Sequence, residues 1–240
     1  MLRALSFLSI ILVVLFVASC GKPQEEENTG CLQPDQAATL MPSLDIESEN
    51  KITIDDSFTV EQRESMLRAI ATWNNLGRSL TGKDFFTGKV SEVPSSWKPA
   101  GDDGCEFQGS SKDSFAIIRE TSAETWKAMN LTDRNGGATV RCTVENQLTR
   151  QVILINTNHN KVEQFHSVVL HELGHAIGLD HSCLVGTGRL DFTSCGSLGA
   201  DHPYRVATMY PLLTISTDFI ETKEDLRSND SERASCLYKP

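Results

Sequence analysis

His171-Glu172-Leu173-Gly174-His175 is the stretch of this chain best equipped for chemistry. On a helix, residues four apart share a face, so the two imidazoles would project side by side. A pair of neutral imidazoles suits a borderline cation such as zinc. Glu172 lies beside them and could take a proton from a water activated by the ion. Gly178 follows, and glycine readily adopts the left-handed conformation that ends a helix. A chain turning there brings His181 back as a third nitrogen ligand. Three protein ligands leave one coordination position open, as a catalytic zinc requires. Half of the chain's six histidines fall between His171 and His181, a density that a chance His-Glu-x-x-His would not carry.

The flanking sequence supplies elements to hold this set. Asn160 with Glu163 predicts a capping box opening the helix that bears the motif. Phe165, Val169, Leu173 and Ala176 supply its buried stripe. His166 precedes His171 by five residues, roughly 140° around the helix, which places it at the surface or behind the ligands. Upstream, Lys51–Asp55 alternates polar and apolar like a half-buried strand. Thr59 and Gln62 form a capping box for a long helix with Val60, Met66, Ile70, Trp73 and Leu76 as its apolar stripe, ending at Gly77. Residues 81–112 read as loop with one short strand. Phe115–Arg119, Ala138–Val144 and Gln151–Asn156 read as strands, the second preceded by the turn Asn135-Gly136-Gly137 and the third apolar enough to be central.

Taken whole, HELGHAIGLDH resembles the extended zinc signature of the metzincin metallopeptidases. Met209, in Ala207-Thr208-Met209-Tyr210-Pro211, resembles their Met-turn; methionine alone would read as core filling. Ser182 after the third histidine, and Met-Tyr-Pro, are similar to the matrixin (matrix-metalloprotease-like) branch. The resemblance implies an α/β (α+β) zincin domain: a twisted mixed sheet, a long first helix, the zinc-motif helix, the Met-turn and a C-terminal helix at about 228–238. It also implies that strand 138–144 is the edge strand above the cleft, open to strand addition by an extended peptide. Matrixins have Pro-x-Tyr after the Met-turn as a wall of the specificity pocket. Here Pro211-Leu212-Leu213 keeps an apolar wall of Pro211 and Leu213 without the tyrosine. The 27 residues between His181 and Met209 exceed the usual matrixin connection. Cys31-Leu32-Gln33-Pro34-Asp35 resembles part of the matrixin cysteine switch, with Thr29-Gly30 in place of Pro-Arg. Residues 81–112 contain no histidine, so a second, structural zinc is not expected. Asp102 and Asp103 could bind calcium, but a solvated acidic turn is the preferred reading.

The first residues address the protein elsewhere. Arg3 and the apolar run Ala4–Val17 form a secretory signal, too short for a comfortable membrane span. Val17-Ala18-Ser19-Cys20 resembles a bacterial lipobox, which makes Cys20 the lipidated N-terminus. The expected organisation is therefore a signal peptide at 1–19, a lipidated cysteine with tether and possible pro-segment at 20–44, and the domain at 45–240. Gly21 after Cys20 favours outer-membrane or cell-surface anchoring over the inner membrane, and Gly21–Gly30 is polar and acidic like a flexible tether.

Setting Cys20 aside, six of the chain's seven cysteines remain, consistent with disulfides in an exported protein. The expected pairs are Cys183–Cys195 stapling the loop after His181, Cys105–Cys142, and Cys31–Cys236 tying the termini. Cys31 in a disulfide is preferred to Cys31 as a latency thiol. A net charge of −10 without a basic cluster argues against nucleic-acid partners. The expected activity is that of a zinc-dependent endopeptidase on extracytoplasmic proteins or peptides, acting as a monomer. The alternative is a lipoprotein that binds zinc or a partner without catalysis, in which Glu172 would have no purpose.

Overall fold

β-Branched and other apolar residues in Ile52–Asp55, Phe115–Arg119 and 151–155 create strand segments that are buried along nearly their whole length. The computed structural model describes residues 41, 43–87, 90–93, 99–100, 106–107, 115–144, 147–160, 162–185, 193–213 and 220–239. All belong to one unit, Cys31–Pro240. The expected signal sequence, Cys20, the expected tether, Cys31, Asp102, Asp103 and Cys105 lie outside the described residues. Among the described residues the elements are β1 (Ile52–Asp55), α1 (Val60–Thr81), β2 (Ser91–Val93), β3 (Pro99–Ala100), β4 (Glu106–Phe107), β5 (Phe115–Arg119) and α2 (Ala123–Ala128). They continue with β6 (Gly137–Val144), β7 (Gln147–Ile155), α3 (Phe165–Ala176), the short α4 (Pro203–Val206) and α5 (Ser228–Tyr238).

The main sheet has strand order β2-β1-β5-β7-β6. Neighbours are parallel except β6, which runs antiparallel to β7 with Thr139 opposite Ile153. β6 is thus the edge strand expected from the sequence. Alternation sends Ile52, Ile54, Phe115, Ile117, Ile153 and Ile155 to one face, where α1 and α3 cover them with Met66, Trp73, Val169, Leu170 and Leu173. The opposite face carries Ala116, Ile118, Val152 and Leu154, closed by Trp126 of α2. α1 and α3 are pinned together where Trp73 Nε1 donates to the Leu170 carbonyl at 2.8 Å inside the core.

Several expectations need correction. The Thr59–Gln62 capping box forms as read, but α1 runs past Gly77 and ends at Gly82 with φ 77°. Gly77 instead admits a neighbour: a Cβ there would lie 3.1 Å from the Phe85 ring and 2.9 Å from the Lys83 carbonyl. Val60 is 56% exposed, because at the first helical turn its side chain lies off the end of the core-facing stripe. Residues 81–112 contribute β2, β3 and β4 rather than one strand. Helix α2 was not expected; six residues are too few to display a period, although Ser122 caps it through Thr125 N. Asn160 does not cap the zinc-motif helix. Its Nδ2 donates to Gly136 O at 2.8 Å, and a turn of 3₁₀ helix at Val162–Gln164 leads into α3. His166, expected at the surface or behind the ligands, is buried, with its two ring nitrogens each 3.2 Å from a carbonyl, those of Ser65 and Glu224.

Candidate metal and catalytic site

α3 is buried almost all round, so it sits in the core and holds its polar side chains in defined places. It stops where Gly178 takes φ 109° and where Gly178 N and Leu179 N donate back to the carbonyls of His175 and Gly174 at 3.1 and 3.0 Å. The chain then reverses, with His181 N donating to Asp180 Oδ1 at 2.7 Å. Through that turn His181 joins His171 and His175. One ring nitrogen from each lies within 4.8 Å of the others, a spacing one metal ion can bridge.

Hydrogen bonds assign the ring nitrogens. His171 Nδ1 donates to the Thr208 carbonyl at 2.8 Å and His175 Nδ1 to the Leu179 carbonyl at 2.7 Å. That leaves each Nε2 with its lone pair for a metal. Burial, reinforced by the neighbouring imidazoles, lowers His171 to about 3 and His175 well below its ordinary value. Burial lowers His181 as well. The three rings are therefore neutral donors at pH 7, a set that fits zinc.

Glu172 is 5% exposed and turns toward β6. The Thr139 hydroxyl donates to its Oε2 at 2.8 Å. Gly137 supplies the necessary room, since a Cβ there would meet Glu172 Oε1 at 2.7 Å. Burial pushes the carboxyl up to about 7, against the lowering effect of the Thr139 bond. A carboxyl poised near neutrality can both accept and return a proton. Replacing Thr139 by valine removes a part-buried bond to the carboxylate, worth about 1.5 kcal/mol. The expected cost is roughly tenfold in kcat/KM for any reaction that uses Glu172, recovered in Thr139→Ser; equal rates in both variants would detach Thr139 from Glu172 function.

Met209 lies against the inner side of the same helix. It is fully buried, in a turn closed by Tyr210 N donating to Ala207 O at 3.2 Å. A Cβ on Gly174 would fall 2.2 Å from Met209 Sδ and 3.0 Å from the Trp73 ring, so this helical glycine exists for close approach. Alanine favours a helix over glycine by about 1 kcal/mol. Gly174→Ala is nevertheless expected to destabilise by about 1–3 kcal/mol, because the overpacking cannot relax in this core. Denaturant unfolding measures it, and a stabilised variant would contradict the packing account.

Asp230 of α5 fixes the Met209 turn from below. Its two oxygens accept from Thr208 N at 2.8 Å and Met209 N at 3.0 Å, and Oδ2 also accepts from Arg227 N at 3.0 Å. Sequence reading missed Thr139, Thr208 and Asp230, none of which carries a motif signal of its own. The Cys183–Cys195 disulfide is present as expected and packs on Tyr210. Cys142 is disulfide-bonded, while its expected partner Cys105 lies outside the described residues, as does Cys31, the expected partner of Cys236.

A cleft of about 640 Å³ opens over these groups. Gly137, Ala138 and Thr139 of β6 line it, together with His171, Glu172, His175 and His181 and with Tyr210, Pro211, Leu212 and Leu213. Pro211 and Leu213, expected as a pocket wall, both face this cleft.

No family model matches the sequence, and no curated protein matches it. Seven chains of solved structure do match. One is described as myroilysin, with 11% identity, a TM-score of 0.37, and coverage of 85% of this chain and 97% of that one. Another is high choriolytic enzyme 1, a hatching enzyme zinc-protease from Oryzias latipes (medaka fish), with 11% identity, a TM-score of 0.37, and coverage of 87% and 98%. Likenesses at this level carry no weight for family or activity.

Proposed function

We propose that this chain is a metzincin-type zinc endopeptidase. The observation that carries the reading is the convergence of three imidazoles beside a buried carboxyl, in a cleft lined by β6, the edge strand of the sheet among the described residues. His171, His175 and His181 would hold the ion. Zinc, when bound, supplies Lewis acidity toward a water molecule and toward the scissile carbonyl. Glu172 takes the proton from that water as it attacks and returns it to the departing amine. The Thr139 hydroxyl holds the Glu172 carboxylate in place for both transfers. An extended peptide pairs with the outer edge of β6 through backbone hydrogen bonds, which selects weakly for sequence. Pro211 and Leu213 give the neighbouring subsite an apolar wall.

Ser182 and the Met-Tyr-Pro run support placement near the matrixin branch. The signal-like N-terminus and the lipobox-like Cys20 support export and lipid anchoring, with extracytoplasmic proteins or peptides as substrates.

The test incubates purified protein with a mixed peptide library, then adds a zinc chelator, then restores zinc. Cleavage that disappears and returns supports the reading. A Cys31→Ala variant is run alongside, since a thiol plugging the site would silence the parent alone. If both proteins are folded and zinc-loaded yet cleave nothing, a non-catalytic zinc-binding role replaces the enzyme.

A further inference from the structure

His181 is the one ligand of the three that no helix holds. His171 and His175 are fixed by the α3 backbone, whereas His181 stands on a turn whose direction depends on what grips the chain at Asp180 and His181. The grip comes from the far end of the sequence. Arg233 on α5 is 0% exposed, and its Nη2 donates to the Asp180 carbonyl at 2.9 Å and reaches the His181 carbonyl at 3.5 Å. The Asp230 and Asp180 carboxylates act on its guanidinium as favourable opposite charges, against the cost of its burial. Asp230 stands one helical turn earlier on α5 and holds the backbone of Thr208 and Met209. A single turn of α5 therefore grips both irregular segments that shape the histidine cluster.

Stability does not account for a buried guanidinium at this place. Taking a charge out of water costs several kcal/mol, and well-packed apolar replacements of buried ion networks are often neutral or better for the fold. A buried arginine whose Nη2 is aimed at the backbone of one turn is explained by what that turn carries. We propose that Arg233 is a positioning residue for the metal site: by fixing the Asp180 and His181 carbonyls it sets the direction in which the His181 imidazole points. The proposal rests on the three histidines binding zinc. The planar guanidinium suits the task because one nitrogen can address two adjacent carbonyls from a fixed direction.

The experiment measures zinc affinity, by competition with a chelating indicator, together with thermal unfolding of the metal-free protein. It compares the parent with Arg233→Met, Arg233→Lys and Ala234→Gly. Ala234 is also fully buried on α5, so its glycine variant loses helix stability without touching the turn. Losing a partner that orients a metal ligand costs about 10–100-fold in affinity. Arg233→Met is expected to bind zinc at least about tenfold more weakly, at the lower end of that range, and Arg233→Lys to fall between it and the parent. Ala234→Gly should unfold at lower temperature yet keep the parent's affinity. Parent-like zinc binding by a folded Arg233→Met would overturn the proposal, as would an equal loss in Ala234→Gly. Should Arg233→Met fail to fold, Arg233→Lys against Ala234→Gly decides: equal affinities overturn it. A folded parent that binds no zinc at all would sink the metal-site reading itself, and this proposal with it.

Discussion

Glu172→Gln should bind zinc as the parent does and cleave peptides about 10²–10⁴-fold more slowly, the span that a positioned general acid–base supplies. Glutamine keeps the shape of the side chain and can still accept from the Thr139 hydroxyl, so the cleft should be unchanged. It cannot take a proton from water or return one to an amine. Zinc should remain because the three imidazoles form a ligand set without the carboxylate. The measurement pairs metal content with kcat/KM on a peptide cleaved by the parent. Parent-like turnover would remove Glu172 from the mechanism, and simultaneous loss of zinc would recast it as a ligand.

The second large effect concerns the metal. Structural zinc sites with four ligands bind with about 10–16 kcal/mol, so each ligand is worth on the order of 3 kcal/mol. Replacing His175 or His181 by alanine should therefore cost about a hundredfold or more in zinc affinity and abolish turnover at ordinary zinc concentrations. Linkage makes this visible without any substrate. Free zinc at about 100 times Kd stabilises the parent by about 2.7 kcal/mol, so its unfolding midpoint should rise with zinc and fall with chelator. In either variant the midpoint should ignore both. His175→Ala should also lower the metal-free stability by about 1 kcal/mol, since its Nδ1 bond to Leu179 O helps close the helix end. His202 is half-buried and outside the cluster, where it accepts from Tyr204 N at 3.2 Å. His202→Ala should keep the zinc response. A zinc response retained by His181→Ala would mean that the cluster is not the metal site.

The fold and the site were legible in the sequence to different depths. Strands buried on both faces announce themselves as unbroken apolar runs, so β5 and the core of β7 were placed within a residue or two. The capping box of α1 and the extent of α5 were also found. The errors cluster where one local pattern has two physical meanings. Gly77 reads as a stop signal, but here it makes room for the Phe85 ring in mid-helix. Asn160 reads as a cap, but its amide serves the turn before β6. His166 reads as either a surface residue or one behind the ligands, and burial is decided by the Ser65 and Glu224 carbonyls that meet its ring.

The sequence by itself determined which residues could share a metal, because helical spacing joins His171 to His175 and a single glycine turns the chain toward His181. Local geometry spans only a few residues, so a motif of that length can be read without the fold. Tertiary structure alone decided what holds those groups still. Thr139 lies 33 residues from Glu172, Thr208 lies 37 from His171, and Arg233 lies 53 from Asp180. Contacts at such separations depend on the register of β6 over α3 and on where α5 docks, and neither leaves a trace in local periodicity. Asp230 and Arg233 carry no motif signal in the sequence, which marks only a C-terminal helix at about 228–238. Only the packed chain shows them buried, gripping the backbone of Thr208, Met209 and Asp180 beside the histidine cluster.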